Sequence, residues 1–211
     1  LALTIAGIGV LVSGFWLGQI PVQLSAGVVA MVAAGLFAWT IVGTWLHNGR
    51  PRSLASDHVL MATLLFVVAA LTGTLVAANT LTDPPTLPFG ALHLIAYTHL
   101  ALIGFVTQAL MGAISFLLPV MLSVARTKSH KKRIPYLAAL TAHMNRMGTI
   151  QLGAMNVGTV GLALVAALVW QFNLTSPQVQ TATWVTGSFL LVGLGLFAVK
   201  VVTIVTKYPD N

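Results

Sequence analysis

The sequence predicts an all-α integral membrane protein, a bundle of about six transmembrane helices. Of its 211 residues, 57% are hydrophobic and only 6% are charged, whereas about 25% of the residues of an ordinary soluble domain are charged. The apolar segments reach the length of about 20 residues that a helix needs to cross a bilayer. They are continuously apolar and do not alternate as barrel strands do, so helices are favoured.

Each predicted span is bounded by a change in composition. No charged residue precedes the first span, which argues against a signal peptide, and the chain starts with Leu instead of Met, so we expect a longer chain. Basic loops follow spans two and four, and Pro-rich or polar loops follow spans three and five. No linker or soluble domain interrupts residues 1–211, so we predict a single bundle. The spans are residues 3–20, 24–46, 58–79, 90–122, 147–171 and 182–206.

The basic residues all fall on one side of the predicted bundle. The ten Lys and Arg residues map to the 47–57 loop, the 123–146 loop, the C-terminal tail or the adjoining helix ends. By the positive-inside rule this side is cytoplasmic, in a bacterial-type inner membrane. Contact with anionic lipid head groups accounts for the basic cluster at 126–133, and a nucleic-acid partner is not expected.

Small residues recur along spans four and five. Gly104 and Gly112 are eight residues apart, as are Gly153 and Gly161, so each pair shares a helix face. Such residues allow either a neighbouring helix or a flat ligand to approach closely. Both interpretations remain open from the sequence.

Histidines within the spans are the strongest functional signal, because ionisable groups in hydrocarbon are costly. His47, His58 and His130 are predicted at the membrane interface. His99 lies ~13 Å along span four from its start, well inside the hydrocarbon. It is predicted either to bind a metal, as imidazole does in many haem proteins, or to hydrogen-bond a neighbouring group.

Three further residues are candidates for cofactor binding: His93, His143 and Met155. The side chain of His93 points ~120° away from that of His99, because six residues turn a helix by ~600°. His143 precedes span five near the cytoplasmic side, far from His99. Met155 is either an axial sulfur ligand or a packing residue. The sequence contains no cysteine, which excludes thiolate metal sites and covalent c-type haem.

The stretch "AYTHLALIGFVTQALMGAISFLLPVMLSVA" (96–125) resembles the second helix of the large subunit of haem-copper oxidases and nitric oxide reductases. His99, Gly112 and Pro119 stand at the matching positions. The preceding "SDHVLMATLLFVVAALTGTLVAAN" (56–79) is similar to the first helix of that family. The resemblance implies that His99 is an axial ligand of a low-spin haem b.

The spans lack the late helix with two closely spaced histidines and the trio of copper or iron ligands that this family has. The resemblance therefore implies an electron-transfer component of a respiratory oxidoreductase complex, without an oxygen-reducing centre of its own. Quinol or cytochrome c and other subunits would be its partners. The second axial ligand would come from His93, His143, an unseen part of the chain or a partner subunit.

Two other functions remain open. A cofactor-free membrane anchor or scaffold subunit of a larger complex would suit the near-absence of charge and the abundant small residues. A transporter would be expected to contain broken helices and polar sites at the midplane. Pro21 and Pro119 are predicted near helix ends, which gives the transporter little support.

Overall fold

A computed structural model describes residues 2–49, 53–79 and 91–209, and all regular structure in these ranges is helical. The all-α membrane fold predicted from the sequence is thus confirmed. In chain order the elements are α1 (Ala2–Trp16), α2 (Ile20–His47), α3 (Leu54–Asn79), α4 (Ala91–His99), a π-helix (Leu100–Thr107), α5 (Gln108–Arg126), α6 (His130–Asn145), α7 (Gly148–Leu168), a 3₁₀ turn (Val169–Gln171) and α8 (Pro177–Thr206).

Five helical segments in the described part of the chain are long and apolar enough to cross a membrane: α2, α3, His93–Arg126, α7 and α8. The first predicted span, residues 3–20, corresponds to α1, which has 15 residues. A helix of this length extends ~22 Å, less than the ~30 Å of a typical hydrocarbon core. The described ranges therefore form a multi-pass membrane bundle that contains five long apolar helices and one shorter apolar helix.

Elements α4, the π-helix and α5 form one continuous helical rod. Inside the π-helix, the Thr107 hydroxyl donates to the carbonyl of Leu102, five residues earlier, at 2.9 Å. The prediction that Pro119 lies near a helix end is wrong, because α5 continues beyond this proline to Arg126. Polar residues after position 122 made the apolar span look shorter than the helix.

The predicted 123–146 loop contains helix α6. Its basic first turn and low overall hydropathy concealed three apolar side chains spaced four residues apart, Tyr136, Leu140 and Met144. These side chains form one buried cluster with Ile204 of α8. Spacing of four residues places them on one helix face, so α6 is an amphipathic helix that packs against the end of α8.

Close packing of α7 against α8 depends on glycines. A Cβ atom on Gly158 would lie 2.5 Å from the backbone nitrogen of Leu190, and a Cβ atom on Gly193 would lie 2.6 Å from the Met155 side chain. On the rod, Gly112 approaches the carbonyl of Ala55 in the same way. By contrast, Gly153 has no atom of another element within 4 Å of its Cβ position. Gly112 is thus a helix-packing residue, and Gly153 is not.

The pair Gly158→Ala and Gly153→Ala tests this packing. Both changes gain the same helix propensity, about 1 kcal/mol, but the added methyl group at 158 collides with a backbone that cannot rotate away. We expect Gly158→Ala to lower the free energy of unfolding by about 1–3 kcal/mol and Gly153→Ala to leave it equal or higher. Unfolding in detergent micelles measures both, and equal stability of the two variants would contradict this packing.

Candidate functional site

His58 occupies the interior of the bundle. Its side chain is 0% exposed, and both ring nitrogens have hydrogen-bond partners on other helices. Nδ1 lies 3.3 Å from Oε1 of Gln108 on α5, and Nε2 lies 2.9 Å from Nε2 of Gln151 on α7. An amide NH₂ group can only donate, so it donates to Nε2, and Nδ1 carries the proton that it donates to Gln108. The contacts therefore specify the neutral Nδ1–H tautomer.

The hydrogen bonds continue outward from both glutamines. Lys200 Nζ on α8 donates to Oε1 of Gln151 at 2.6 Å. At the other end, Nε2 of Gln108 donates to Oδ1 of Asn156 at 3.0 Å, and Nδ2 of Asn156 donates to the carbonyl of Leu152 at 2.8 Å. We call this set the polar chain: Lys200, Gln151, His58, Gln108 and Asn156. In it every donor points the same way, from Lys200 toward Asn156.

Small residues and one capping bond bring the polar chain together. Gly112 lies one turn after Gln108 and allows α5 to approach His58, whose Cβ would be 3.3 Å from a Cβ on this glycine. Gly193 allows α8 to pack closely against Met155 of α7, and Lys200 follows two turns later on α8. The Asn145 side chain, at the end of α6, accepts a 2.9 Å hydrogen bond from the backbone nitrogen of Leu54. This bond holds the start of α3 beside the start of α7.

Lys200 is the one cation of the polar chain, and it is 6% exposed. Asp57 is the only acidic residue in the described part of the chain. The Lys200 amine donates instead to an uncharged group, the amide oxygen of Gln151. A hydrogen bond to a charged group contributes about 1.5–3 kcal/mol, and losing it in a buried place costs the full desolvation of that group. Gln151 is therefore the residue on which the placement of Lys200 depends.

The structure buries the His58 ring fully between α3, α5 and α7, whereas its predicted position at the membrane interface stays a prediction. Its place near the start of span three did not reveal this burial, because the rod extends well beyond the start of α3. A signal was available in the sequence, since Gln108, Gln151 and Asn156 interrupt apolar spans. Uncharged amides within hydrocarbon need partners, and histidine can donate and accept at once.

His99, the predicted metal ligand, lies at the end of α4. Its imidazole is half-buried, and its Nε2 atom is buried without a hydrogen-bond partner among the described residues. It lines a groove of about 250 Å³ with apolar side chains of α7, the 3₁₀ turn and α8, among them Val165, Val169 and Val179. The backbone of Thr159 lies close enough to interact with the ring. His99 thus lines an apolar groove and carries one buried ring nitrogen that has no hydrogen-bond partner in the described ranges.

His93 lies on a different side of the same helix. It lines a separate groove of about 290 Å³ between α3, α4 and α7, with Leu65, Ala96 and Leu100 among its neighbours. The two grooves have no lining residue in common. The structure does not bring His93 and His99 to one groove, in line with the angular separation expected from the sequence.

His143 and Met155 are also remote from the His99 groove. His143 lies on α6, which packs near Ile204 of α8, whereas the groove reaches Thr183 of α8; these positions are ~31 Å apart along the helix. Burial, and then the nearby cations Lys207, Arg146 and Lys200, lower the pKa of His143. Met155 is 0% exposed and packs against Gly193. The ligand roles of His93, His99, His143 and Met155 all stay predictions.

The His99 groove meets part of what haem b requires. A buried imidazole nitrogen without a partner suits axial ligation, and apolar walls suit a porphyrin. The described lining residues include no second nitrogen or sulfur ligand and no cation for the propionates. The volume is also below the roughly 300–1,000 Å³ of typical ligand pockets. The described residues therefore fit one axial ligand and one wall of a haem site, not a complete one.

The described residues contain no group of three or more His, Cys, Asp or Glu side chains placed to hold a metal ion. Comparison with protein-family models, with curated proteins and with solved structures gives no match. What the protein does must therefore be inferred from its own residues, of which the polar chain and His99 are the most informative.

A double-mutant cycle tests the polar chain. Gln151→Leu leaves Lys200 Nζ buried without its acceptor, so we expect the free energy of unfolding to fall by about 2–3 kcal/mol. Lys200→Met removes the amine that needs the acceptor, and the double variant should lose less than the sum of the two single losses. Unfolding in detergent micelles gives all three values. Strictly additive losses would show that the two side chains do not interact.

Proposed function

We propose that the protein is a haem b-binding subunit of a membrane electron-transfer complex, with His99 as one axial ligand. The observation that carries this proposal is that His99 lines an apolar groove and that its buried Nε2 atom has no hydrogen-bond partner among the described residues. Leaving such a group unsatisfied costs about 1–3 kcal/mol, and ligation to iron would remove this cost. The resemblance of residues 56–125 to haem-copper oxidase subunits favours the same role for the same residue.

The second half of the haem site would come from another polypeptide. The described lining of the His99 groove supplies one ligand, and the groove adjoins a second apolar groove lined by Leu168, Phe172 and Ala182. Both grooves lie at one end of α7 and α8, where a partner subunit could cover them. A partner helix would add the missing axial ligand and the cation for the propionates. Quinol or cytochrome c would then be the electron donor of the assembled complex.

A cofactor-free scaffold is the second candidate function. It is favoured by the polar chain, in which five side chains satisfy one another and tie four long helices together without any ligand. In this case the backbone of Thr159 would be the natural neighbour of the His99 ring, and the apolar surfaces would dock other subunits.

A reduced-minus-oxidised optical spectrum of the purified complex distinguishes the two functions. We expect a b-type α band that is lost in His99→Ala, because the iron loses its axial nitrogen. His47→Ala is the matched control, since His47 is an exposed histidine at the end of α2, and its spectrum should be unchanged. A colourless wild-type complex with all subunits present would instead establish the scaffold.

We further propose that the protein lies in a bacterial-type inner membrane with its basic end in the cytoplasm. Helices α7 and α8 form an antiparallel pair, so the α6 end and the segment between α7 and α8 lie at opposite ends of the bundle. The α6 end carries Lys128, Lys131 and Lys132, whereas residues 171–181 contain no charged side chain. The positive-inside rule favours the cytoplasm for the α6 end.

The absence of cysteine from the sequence makes this orientation easy to test. Single cysteines at exposed positions, Lys131→Cys and Gln180→Cys, report on the two ends of the bundle. In intact cells, a membrane-impermeant maleimide should label Gln180→Cys from the periplasm, and it should label Lys131→Cys only after the membrane is opened. The reverse pattern would invert the proposed topology.

A further inference from the structure

A groove with two lysines lies at the basic end of the bundle. It has a volume of about 280 Å³ and is formed between α6 and the residues after α8. Lys132 and Lys207 supply its cations, and Tyr136 and Tyr208 supply its aromatic walls. The remaining lining residues are Pro135, Ala139 and Pro209. Unlike the His93 and His99 grooves, this groove combines positive charge with apolar surface.

The wall that carries Lys207 is held in place by its backbone. The Lys207 carbonyl accepts hydrogen bonds from Arg126 Nη1 at 2.7 Å and from the Tyr136 hydroxyl at 2.6 Å. Arg126 also donates to the carbonyl of Val205 at 2.6 Å, and its guanidinium lies 4.3 Å from the centre of the Tyr208 ring. These hydrogen bonds therefore hold the backbone at Lys207 in place, while the Lys207 residue itself is exposed.

The charge of this groove is not compensated by carboxylates in the described part of the chain, where Asp57 is the only acidic residue. The first turn of α6 carries Lys131, Lys132 and Arg133. Cations at this position add to the partial positive charge of a helix N-terminus, whereas helices normally place acidic residues there. The described lining of the groove thus carries positive charge that an anion would neutralise.

We propose that this groove binds the phosphate head group of an anionic phospholipid. The groove opens where the apolar helix α8 ends, at Thr206, so its occupant would lie at the level of lipid head groups. Tyrosine and lysine are the residues that membrane proteins place at this level. The volume corresponds to roughly nine water molecules at ~30 Å³ each, enough for a phosphodiester. Pro135 and Ala139 would contact the glycerol and the first acyl carbons, which a free phosphate ion lacks.

Lipid titration of the full chain in detergent, followed by native mass spectrometry, tests the proposal with phosphatidylglycerol as the probe. Because each lysine near an anionic head group contributes about 1 kcal/mol, Lys132→Ala/Lys207→Ala should weaken binding about thirtyfold. The matched control is Lys128→Ala/Lys131→Ala, which removes the same charge at exposed positions outside the groove and should change binding by less than about threefold. Phosphatidylcholine should bind weakly to all three proteins.

Three results would overturn the proposal. Equal losses in the two double variants would mean that general charge attraction, and not the groove, holds the lipid. Equal binding of phosphatidylcholine would remove the role of the anion. Displacement of phosphatidylglycerol by the same concentration of inorganic phosphate would identify a site for a free anion. Size-exclusion profiles and circular dichroism identical to those of the wild type exclude misfolding of the variants, whose substituted lysine side chains are not needed for the backbone hydrogen bonds.

Discussion

The satisfaction of polar side chains without water is the constraint on which this bundle depends. A transmembrane helix can pack against its neighbours in several rotations at similar cost, because lipid tails and apolar side chains offer similar contacts. Hydrogen bonds are directional, however. The polar chain requires His58 to face α5 and α7 simultaneously, and it requires Lys200 to meet Gln151. Together these contacts fix the rotation and the height of α3, α5, α7 and α8 relative to one another.

The same pair of helices, α7 and α8, is closely packed in one part and open in another. Gly158 and Gly193 allow backbone contact on the side toward the polar chain. Beyond Gly161, bulky residues such as Leu164 and Leu168 face Val179 and Ala182, and the grooves begin there. The end that contains His99 therefore has apolar surfaces that the described residues leave uncovered. The opposite end is covered by α6 and stabilised by Arg126, so the two ends suit different partners.

The fold class could be predicted because it depends on the length of apolar runs, which is a property of the sequence alone. The burial of an individual residue between helices could not be predicted in the same way, since it depends on how the helices are shifted along one another. His99 was correctly placed within a long apolar segment. His58 was not recognised as buried between helices, because its position near the start of α3 does not reveal which residues of the rod and of α7 lie level with it.

The shift of α3 along the rod explains this error. Gln108, the partner of His58, lies halfway along the rod Ala91–Arg126. One turn later, Gly112 packs against Ala55, close to the first residue of α3. The start of α3 is thus level with the middle of the rod. This offset between α3 and the rod cannot be read from the sequence. The amides of Gln108, Gln151 and Asn156 indicate only that each of these side chains needs a polar partner.

The direction of the hydrogen bonds limits what the polar chain can do chemically. If His58 took up a second proton, its Nε2–H would face the Gln151 amide nitrogen, which is also a donor. Rotating the Gln151 amide would relieve this contact, but it would then present the NH₂ group to the Lys200 amine, a second donor. No rotation of Gln151 suits a charged His58 and Lys200 together. The polar chain is therefore arranged to hold His58 neutral and the four helices in place, and the amide between the two basic groups makes it poorly suited to conduct protons.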